Sequence, residues 1–331
     1  MKNINLENIE SVLIIRLSSL GDILLTTPLI RALKKTYPGI SIDMIVKRQY
    51  FDTILHNPHM RNKFYYLPDQ RKELLEEIQT KKYNLIIDLQ NNHHSNKIMS
   101  GLGGIQIKFD KKPLKKFLLV QTKINLLKDA EQIPLRYAAV LNELKLDDEG
   151  LDLITPLPPT EFKGGKDNYI GICPGGRHFT KMWPKDYYIK LCRTLIKNGW
   201  NVIMFGGLAD RLTCLEIKNN VPEVINMQND DNILQTAADM KLCRAIYCND
   251  SGLMHAACAM KIPVIVFFGS TVKEFGFTPY NNNHIILEDN SLSCRPCSHI
   301  GKHKCPKKHF KCMREITPQS AYDSLKRLIA I

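Results

Sequence analysis

The chain has 331 residues, of which 44% are hydrophobic and 24% are charged, and its formal net charge is +13. This length exceeds one ordinary domain, and the apolar fraction is enough for real cores, so we expect two domains rather than a disordered chain. No apolar run approaches the roughly 20 residues that a membrane-spanning helix needs. The basic excess favours an anionic partner: a nucleotide, a phosphorylated substrate, nucleic acid or an acidic membrane surface.

The amino-terminal segment and the cysteines bear on the cellular compartment. The first ten residues are polar and do not contain the apolar core of a secretory signal peptide. We therefore expect a cytoplasmic protein, in which the ten cysteines are reduced.

The first half alternates apolar runs of strand length with helical patterns. Strands are predicted at 12–17, 42–46, 64–67, 85–89 and 105–109, and a charged amphipathic helix at 71–82. The first strand leads through a turn at 18–22 into a helix that carries Pro28 near its start. This alternation predicts an α/β fold with a parallel sheet. The turn contains one glycine, so the dinucleotide fingerprint of a Rossmann dehydrogenase is absent.

The carboxyl ends of the predicted strands are where such sheets bind ligands. Several polar side chains of the first half map to these ends: Asp22, Asp88, Asn91, Asn92, His93 and His94. They are the first candidates for a functional site.

The second half repeats the strand–loop–helix order after a break rich in proline and glycine between 147 and 166. Strands are predicted at 169–172, 202–205 and 245–248, and a helix at 186–197. We therefore expect one domain over 1–160 and another over 161–316. The segment 317–331 is predicted as an amphipathic helix with Thr317 at the N-cap and Pro318 at N1, packing near the domain interface.

The segment Asp250-Ser251-Gly252-Leu253-Met254-His255 joins a predicted strand to a predicted helix. A helix that starts there presents free backbone N–H groups, which together with the helix dipole favour an anion. Ser251 suits the N-cap, and Gly252 lets a phosphate approach the backbone closely. The alternative is an ordinary capped helix after a strand.

Two further motifs accompany this segment: Arg16-Leu17-Ser18-Ser19-Leu20-Gly21-Asp22 and Thr180-Lys181-Met182-Trp183-Pro184. Together the three resemble the heptosyltransferase family of lipopolysaccharide core synthesis, glycosyltransferase family 9, in order and spacing over nearly the whole chain. The resemblance implies a GT-B fold, in which two Rossmann-like, doubly wound domains face each other across a cleft. It also implies an inverting transfer of heptose from ADP-heptose to a lipopolysaccharide inner-core acceptor, with no cofactor required for catalysis.

The resemblance also implies roles for individual residues. Asp22 matches the catalytic base, although it could simply cap its helix. Lys181 matches the cation that neutralises the departing diphosphate, although a solvated loop lysine is the commoner fate. Donor contacts are expected from Thr180, Asp210, Asp250, Ser251, Gly252 and His255, and acceptor-side contacts from Arg16, Ser18, Gly21 and Asp88.

Three further roles are also open. Asp250 is expected to orient the loop or bind a sugar hydroxyl, because a carboxylate repels phosphate. His255 could be a semi-buried histidine without a ligand, and Arg16 could be a structural ion-pair partner.

Four cysteines near the carboxyl end follow the spacing Cys294-x2-Cys297-x7-Cys305-x6-Cys312, within a strongly basic loop. Four thiols in so short a span favour a structural zinc or, after oxidation, two disulfides. The spacing differs from a zinc ribbon, because only one Cys-x-x-Cys pair is present. Packed or redox-labile thiols are the alternative.

The basic cluster at 111–116 is followed by the apolar residues Phe117 and Leu118. This pattern is typical either of a solvated loop or of contact with an anionic membrane surface or a phosphorylated lipid head group. The expected partners are thus a nucleotide sugar, a phosphorylated lipid A–core acceptor and the inner leaflet of the membrane. Nucleic acid is not expected, because interleaved base-stacking aromatics are absent. A sugar-nucleotide epimerase is a further alternative, but its histidine and carboxylate pair cannot be located.

Overall fold

The computed structural model describes residues 6–142, 144–161 and 168–329. The chain divides into two compact units, one of Met1–Lys112 with Ile133–Ile154 and the other of Pro113–Gln132 with Thr155–Ile331. The segment at 113–132 therefore belongs to the second unit. Gly164 and Gly165 of the predicted linker lie outside the described residues.

The first unit follows the predicted strand–helix alternation. Its elements are β1 (Ser11–Ile15), α1 (Leu20–Leu24), α2 (Thr27–Thr36), β2 (Ser41–Lys47), α3 (Asp52–Leu55), β3 (Asn62–Tyr66), α4 (Arg71–Gln79), β4 (Leu85–Asp88), α5 (His93–Met99) and β5 (Ile105–Lys108). After α6 (Pro113–Thr122), which belongs to the second unit, α7 (Ile133–Ala138) returns to the first.

The strands of this unit form a parallel sheet in the order β3-β2-β1-β4-β5. The central strands β1, β2 and β4 are buried along almost their whole length, which explains why they are continuous apolar runs rather than alternating ones. The order reverses between β1 and β4, and this switch point is where doubly wound sheets hold their ligands.

The single helix predicted after β1 is in fact two, α1 and α2. Proline has no N–H, so Pro28 cannot bond to the carbonyl of Leu24 as an uninterrupted helix requires. The hydroxyl of Thr27 donates to that carbonyl instead, at 2.7 Å. The break leaves α1 as a short turn of helix that begins directly beyond the end of β1.

The second unit contains more elements than the sequence patterns predict. They are β6 (Tyr169–Cys173), α8 (Lys185–Lys197), β7 (Asn201–Met204), α9 (Arg211–Asn220), β8 (Ile225–Asn226), α10 (Ile233–Met240), β9 (Cys243–Asn249), α11 (Gly252–Ala259), β10 (Val264–Phe268), β11 (His284–Glu288), α12 (Lys311–Arg314) and α13 (Pro318–Leu328).

The second sheet is also parallel, in the order β11-β10-β9-β6-β7-β8, with its switch point between β6 and β9. Trp183 stacks on Phe267 in its core, with ring centroids 4.2 Å apart. The closing helix α13 packs here, and its Ala321 carbonyl accepts a hydrogen bond from the Tyr247 hydroxyl at 3.0 Å. The hydroxyl of Thr317 accepts from the backbone N–H of Ser320, as the predicted N-cap requires.

The helices of the described residues bear on the membrane question. None of them is both long enough and apolar enough to cross a bilayer.

Candidate active site

The first charged pair lies at the switch point of the first sheet. Arg16 directly follows β1, and its guanidinium pairs with the carboxylate of Asp22 in α1. The Arg16 side chain is 8% exposed and the Asp22 side chain is 18% exposed, so the carboxylate is the more accessible partner. Arg16 also donates from Nη1 to the carbonyl of Leu89, and its guanidinium lies 5.7 Å from the ring centroid of Tyr137.

The surroundings of Arg16 keep it charged. Burial opposes the charge, but Asp22, Tyr137 and Asp88 outweigh burial and raise the pKa of Arg16. The structure thus shows Arg16 as an ion-pair partner of Asp22, the candidate base, and its contact with an acceptor stays a prediction.

Asp22 is also held by the start of its own helix. The backbone N–H and the hydroxyl of Ser19 donate to Asp22 Oδ2, at 3.0 and 2.8 Å. Asp22 thus does close the first turn of α1, as the capping alternative predicts. One carboxylate oxygen is oriented by Arg16 and the other by Ser19, so the carboxylate has a fixed direction.

Asp88, at the end of β4, is fully buried. It accepts hydrogen bonds from the backbone N–H groups of Gln90 and Asn91 at 2.8 and 2.7 Å, and from the Ser95 hydroxyl at 2.7 Å. The Gln90 side chain in turn accepts from the backbone N–H of Ser18 at 3.0 Å. Asp88 therefore organises the loop beside the site. The sequence predicts that Asp88 contacts the acceptor, but its side chain has no exposed surface in this structure.

Three other residues that the sequence predictions name also belong to the first unit. Gly21 is buried within α1, and His94 Nδ1 lies 3.1 Å from the Tyr66 hydroxyl. Sequence reasoning placed Lys111 in a basic surface cluster, but burial and the neighbouring Arg16 lower its pKa, opposed by Asp88 and Asp22. Lys111 is therefore half-buried rather than fully exposed.

The second charged pair lies at the switch point of the second sheet. Lys181 lies in the loop between β6 and α8, and Asp250 directly follows β9. Lys181 Nζ lies 2.7 Å from Asp250 Oδ2, with the lysine side chain 18% exposed and the aspartate 6% exposed. The accessible partner is here the cation.

Thr180 fixes the lysine loop to the cysteine-rich segment. Its backbone N–H donates to the Lys302 carbonyl at 3.1 Å, and the N–H of Lys302 donates to the Thr180 hydroxyl at 2.8 Å. Because Thr180 is 1% exposed, its hydroxyl holds the loop. The predicted phosphate contact by this hydroxyl would need the loop to rearrange.

The helix α11 starts beside the Lys181–Asp250 pair. Ser251 occupies its N-cap position but makes no side-chain capping hydrogen bond, so the predicted capping contact is absent. The N-terminal N–H groups of α11 and its dipole point to the same corner of the sheet as Lys181. His255, one turn further on, is 3% exposed and faces the interior of the unit.

Asp210 lies against the glycine loop that follows β6. Its carboxylate accepts from the backbone N–H of Gly207 at 3.0 Å, and a Cβ on Gly175 would lie 2.0 Å from it. Burial raises the pKa of Asp210, partly offset by the N–H groups of Gly207 and Gly176. Glycine at 175 is therefore required for this close approach, and Asp210 sits at the carboxyl ends of β6 and β7.

Three residues of this corner were missed by sequence reasoning. Asn249 is fully buried and accepts from the backbone N–H of Trp183 at 2.9 Å, so it fixes the end of the lysine loop. The Thr271 hydroxyl donates to Asp250 Oδ2 at 2.7 Å. Arg295 donates to the Thr271 carbonyl at 3.0 Å. No local pattern marks them, because each acts on a residue distant in the sequence.

The four clustered cysteines are free thiols. Cys294 Sγ lies 3.9 Å from His309 Nε2, and burial raises the pKa of Cys312 to about 12. In the part of the chain that the structure describes, no three His, Cys, Asp or Glu side chains are arranged to hold a metal ion. As placed, the thiols do not fit a zinc site, so bound zinc stays a prediction from the sequence.

Comparison with known proteins identifies the class that this fold and site define. The sequence model of glycosyltransferase family 9 (heptosyltransferase) matches residues 71–308, which is more than half of the chain. The chain therefore belongs to glycosyltransferase family 9, and the predicted family is confirmed. The two parallel α/β units confirm the predicted GT-B type of fold.

Individual relatives agree with the family. Lipopolysaccharide heptosyltransferase 2 of Escherichia coli is 25% identical over 365 aligned residues, covering 96% of this chain and 98% of that protein. Lipooligosaccharide heptosyltransferase 2 of Campylobacter jejuni is 30% identical over 175 residues, covering 51% of this chain and 54% of that protein, so the match spans about half its length. A glycosyltransferase family 9 crystal structure from Veillonella parvula aligns with TM-score 0.80 and 18% identity, covering 97% of both chains.

Proposed function

We propose that this protein transfers heptose from ADP-heptose to a lipopolysaccharide inner-core acceptor, with inversion at the anomeric carbon. The observation that carries the proposal is the pair of charged contacts at the two switch points, Arg16–Asp22 and Lys181–Asp250, in a member of this family. One pair presents an oriented carboxylate and the other an oriented ammonium. An inverting displacement needs these two groups, a base for the acceptor hydroxyl and a cation for the departing diphosphate.

Asp22 is the proposed general base. Arg16 and Ser19 fix its two oxygens, so the carboxylate does not have to reorganise when it accepts the proton of the attacking hydroxyl.

Lys181 is the proposed charge for the departing diphosphate. An ammonium has three N–H donors, and the contact with Asp250 uses one of them. The N-terminus of α11, with Ser251 and Gly252, adds backbone N–H groups on the same side. We propose that these groups stabilise the diphosphate as the bond to the sugar breaks, and that Asp210 binds the nucleotide ribose.

The donor assignment is tested by thermal shift with ADP-, UDP- and GDP-sugars. Stabilisation by a ligand grows with the logarithm of its concentration over Kd, so the true donor should raise Tm above the other sugars. ADP-heptose should then release ADP in the presence of the acceptor. A UDP-sugar that gave the largest shift would indicate a related transferase with another donor, and nucleotide binding without any turnover would indicate a non-catalytic binder.

The acceptor is lipid-linked in this proposal, and α6 offers a surface for the membrane. Leu114 and Phe117 lie one turn apart and are 68% and 58% exposed, next to Lys115 and Lys116. Apolar side chains flanked by lysines suit the boundary of an anionic bilayer. We propose that this face of α6 contacts the cytoplasmic face of the inner membrane.

Vesicle sedimentation tests this contact. Vesicles with about 30% anionic lipid should bind the protein more strongly than neutral ones, because each lysine near the surface contributes about 1 kcal/mol. Phe117→Asp should weaken binding, whereas Leu212→Asp, at a site 82% exposed in α9, is the matched control. Equal binding of both variants would contradict a role for α6.

A further inference from the structure

The Lys181–Asp250 pair has a third member. Asp250 Oδ2 accepts from Lys181 Nζ at 2.7 Å and from the Thr271 hydroxyl at 2.7 Å. Thr271 follows β10, so the three residues come from the ends of three adjacent strands, β6, β9 and β10. Thr271 is 3% exposed, so its hydroxyl lies away from solvent.

Thr271 is itself fixed through its backbone. The buried guanidinium of Arg295 donates to the carbonyls of Thr271, Gly269 and Phe268, at 3.0, 2.7 and 3.3 Å. The backbone N–H of Ser270 also donates to the Thr180 carbonyl at 3.3 Å. The segment after β10 is therefore tied both to the cysteine-rich loop and to the loop that carries Lys181.

We infer that Thr271 is a positioning residue for the diphosphate-binding lysine, acting through Asp250; this inference rests on the proposed function. The hydroxyl of Thr271 fixes the rotamer of Asp250, and the Asp250 carboxylate fixes the flexible side chain of Lys181 before the donor binds. A lysine that is already aimed loses less conformational freedom when it contacts the departing phosphate. The contact with Asp250 leaves two of its three N–H donors for the ligand.

The competing role for Asp250 is to mask the charge of Lys181. The two roles predict different results when the Thr271 hydroxyl is removed. Positioning predicts slower transfer, since Lys181 loses its fixed direction. Masking predicts equal or tighter binding of a nucleoside diphosphate, because a loosened Asp250 would neutralise Lys181 less.

The test is a double-mutant cycle between Thr271→Val and Lys181→Met. Val keeps the shape of threonine and removes only the hydroxyl. We expect Thr271→Val to lower kcat about tenfold while changing KM for ADP-heptose less, and Thr271→Ser to restore kcat. In the Lys181→Met background the same change should have no further effect on kcat, because the residue through which it acts is gone.

Thr236→Val is the matched control. Thr236 is 4% exposed in the same unit, and its hydroxyl donates to the Asn232 carbonyl at 3.1 Å. This variant should lower Tm and leave kcat unchanged.

Three results would overturn the inference. The first is an unchanged kcat in Thr271→Val. The second is an equal loss of kcat from Thr271→Val in the wild-type and Lys181→Met backgrounds, which would indicate a purely structural threonine. If Lys181→Met itself turned over normally, the role of Lys181 in the proposed function would fail and this inference with it. If Lys181→Met lost turnover and Thr271→Val did not, only the inference would fail.

Discussion

The two switch points of this protein carry the same kind of contact with the roles of the partners exchanged. In the first unit a buried arginine, 8% exposed, holds a carboxylate that is 18% exposed. In the second unit a buried carboxylate, 6% exposed, holds an ammonium that is 18% exposed. In each case the buried ion is fixed by further hydrogen bonds, from Arg16 to Leu89 and from Thr271 to Asp250.

This difference suits each unit to one part of the proposed reaction. A carboxylate that faces solvent can accept a proton, and an ammonium that faces solvent can receive the charge of a phosphate. Removing the exposed partner would leave the charge of the buried ion uncompensated. Each buried ion therefore holds its exposed partner in place. The comparison therefore predicts that the exposed partners serve catalysis and the buried partners serve their orientation.

The largest effect is expected for Asp22→Asn. Asn can still accept from the N–H of Ser19, but it cannot act as the base, so turnover should fall by roughly 10²–10⁴-fold. Tm should also fall, because Arg16 loses its anion. Steady-state kinetics and a melting curve on the same preparation measure both effects. Near-normal turnover would show that Asp22 only closes its helix.

Lys181→Met should lower turnover by about 10²-fold, as for the loss of one transition-state charge contact. Tm should also fall, because the buried carboxylate of Asp250 loses its cation, although Asp250 keeps the hydrogen bond from Thr271. The check is ADP release at saturating ADP-heptose. A variant that lost stability but kept its turnover would reverse the roles assigned to the two partners.

Arg31→Met tests whether the loss of an ion pair away from the switch points lowers stability without lowering turnover. Arg31 is 3% exposed and pairs with Asp147 and Asp152 in the first unit. Removing it takes the arginine from Asp152 and leaves Asp147 paired with Lys35 alone, so we expect a loss of about 1–3 kcal/mol of unfolding free energy. Turnover per folded molecule should be unchanged, and a large fall would contradict the distinction between this cluster and the switch points.

The same cluster predicts a pH dependence. The hydrogen bond from Arg31 holds the pKa of Asp147 well below its usual range. A carboxylate with a depressed folded-state pKa stabilises the fold above the ordinary Asp value, near 4, and this contribution is lost as pH falls below it. Below pH ~4, the Tm of Arg31→Met should therefore fall less steeply with decreasing pH than the Tm of the wild type. Parallel curves would contradict the assignment.

The smallest effect is expected away from both switch points. Thr317→Ala removes the oxygen that accepts from the N–H of Ser320, at 3.1 Å, and should cost about 1 kcal/mol of unfolding free energy. Thr317→Ser keeps this contact and is the control. Denaturant titration measures the difference, and any change in kcat would show that α13 is coupled to the site.

A zinc ion in the cysteine segment remains a separate prediction from the sequence. If zinc is bound, purified protein should contain about one equivalent of metal, and chelation should lower Tm. Metal-free protein with the same Tm would contradict it.

The sequence predicts the fold well where structure is local. Buried parallel strands are apolar runs, so the strands of the first unit were found, as were β6, β7 and β9. The apolar run Val264–Phe268, which forms β10, was missed although it is fully buried. The sequence pattern predicts one helix through Pro28, whereas the missing N–H of Pro28 divides that helix and leaves the Leu24 carbonyl to the Thr27 hydroxyl.

The site was predicted less completely, because its contacts join distant residues. The motifs supplied Asp22, Lys181 and Asp250, but the pairing of Lys181 with Asp250 depends on strand order. Thr271 had no signal, since it reaches Asp250 across 21 residues through the packing of β9 against β10. Arg295 lies in a basic, cysteine-rich loop that resembles an exposed surface, yet it is buried beneath the site.

The most direct measurement of the exchanged roles is calorimetric titration of ADP into the wild type, Lys181→Met and Asp22→Asn. The ammonium should bind the diphosphate and the carboxylate should not, since like charges repel. We predict that Lys181→Met binds ADP at least about tenfold more weakly, while Asp22→Asn binds it within about twofold of the wild type. Unchanged affinity in Lys181→Met, or lost affinity in Asp22→Asn, would contradict the division of roles between the two charged pairs.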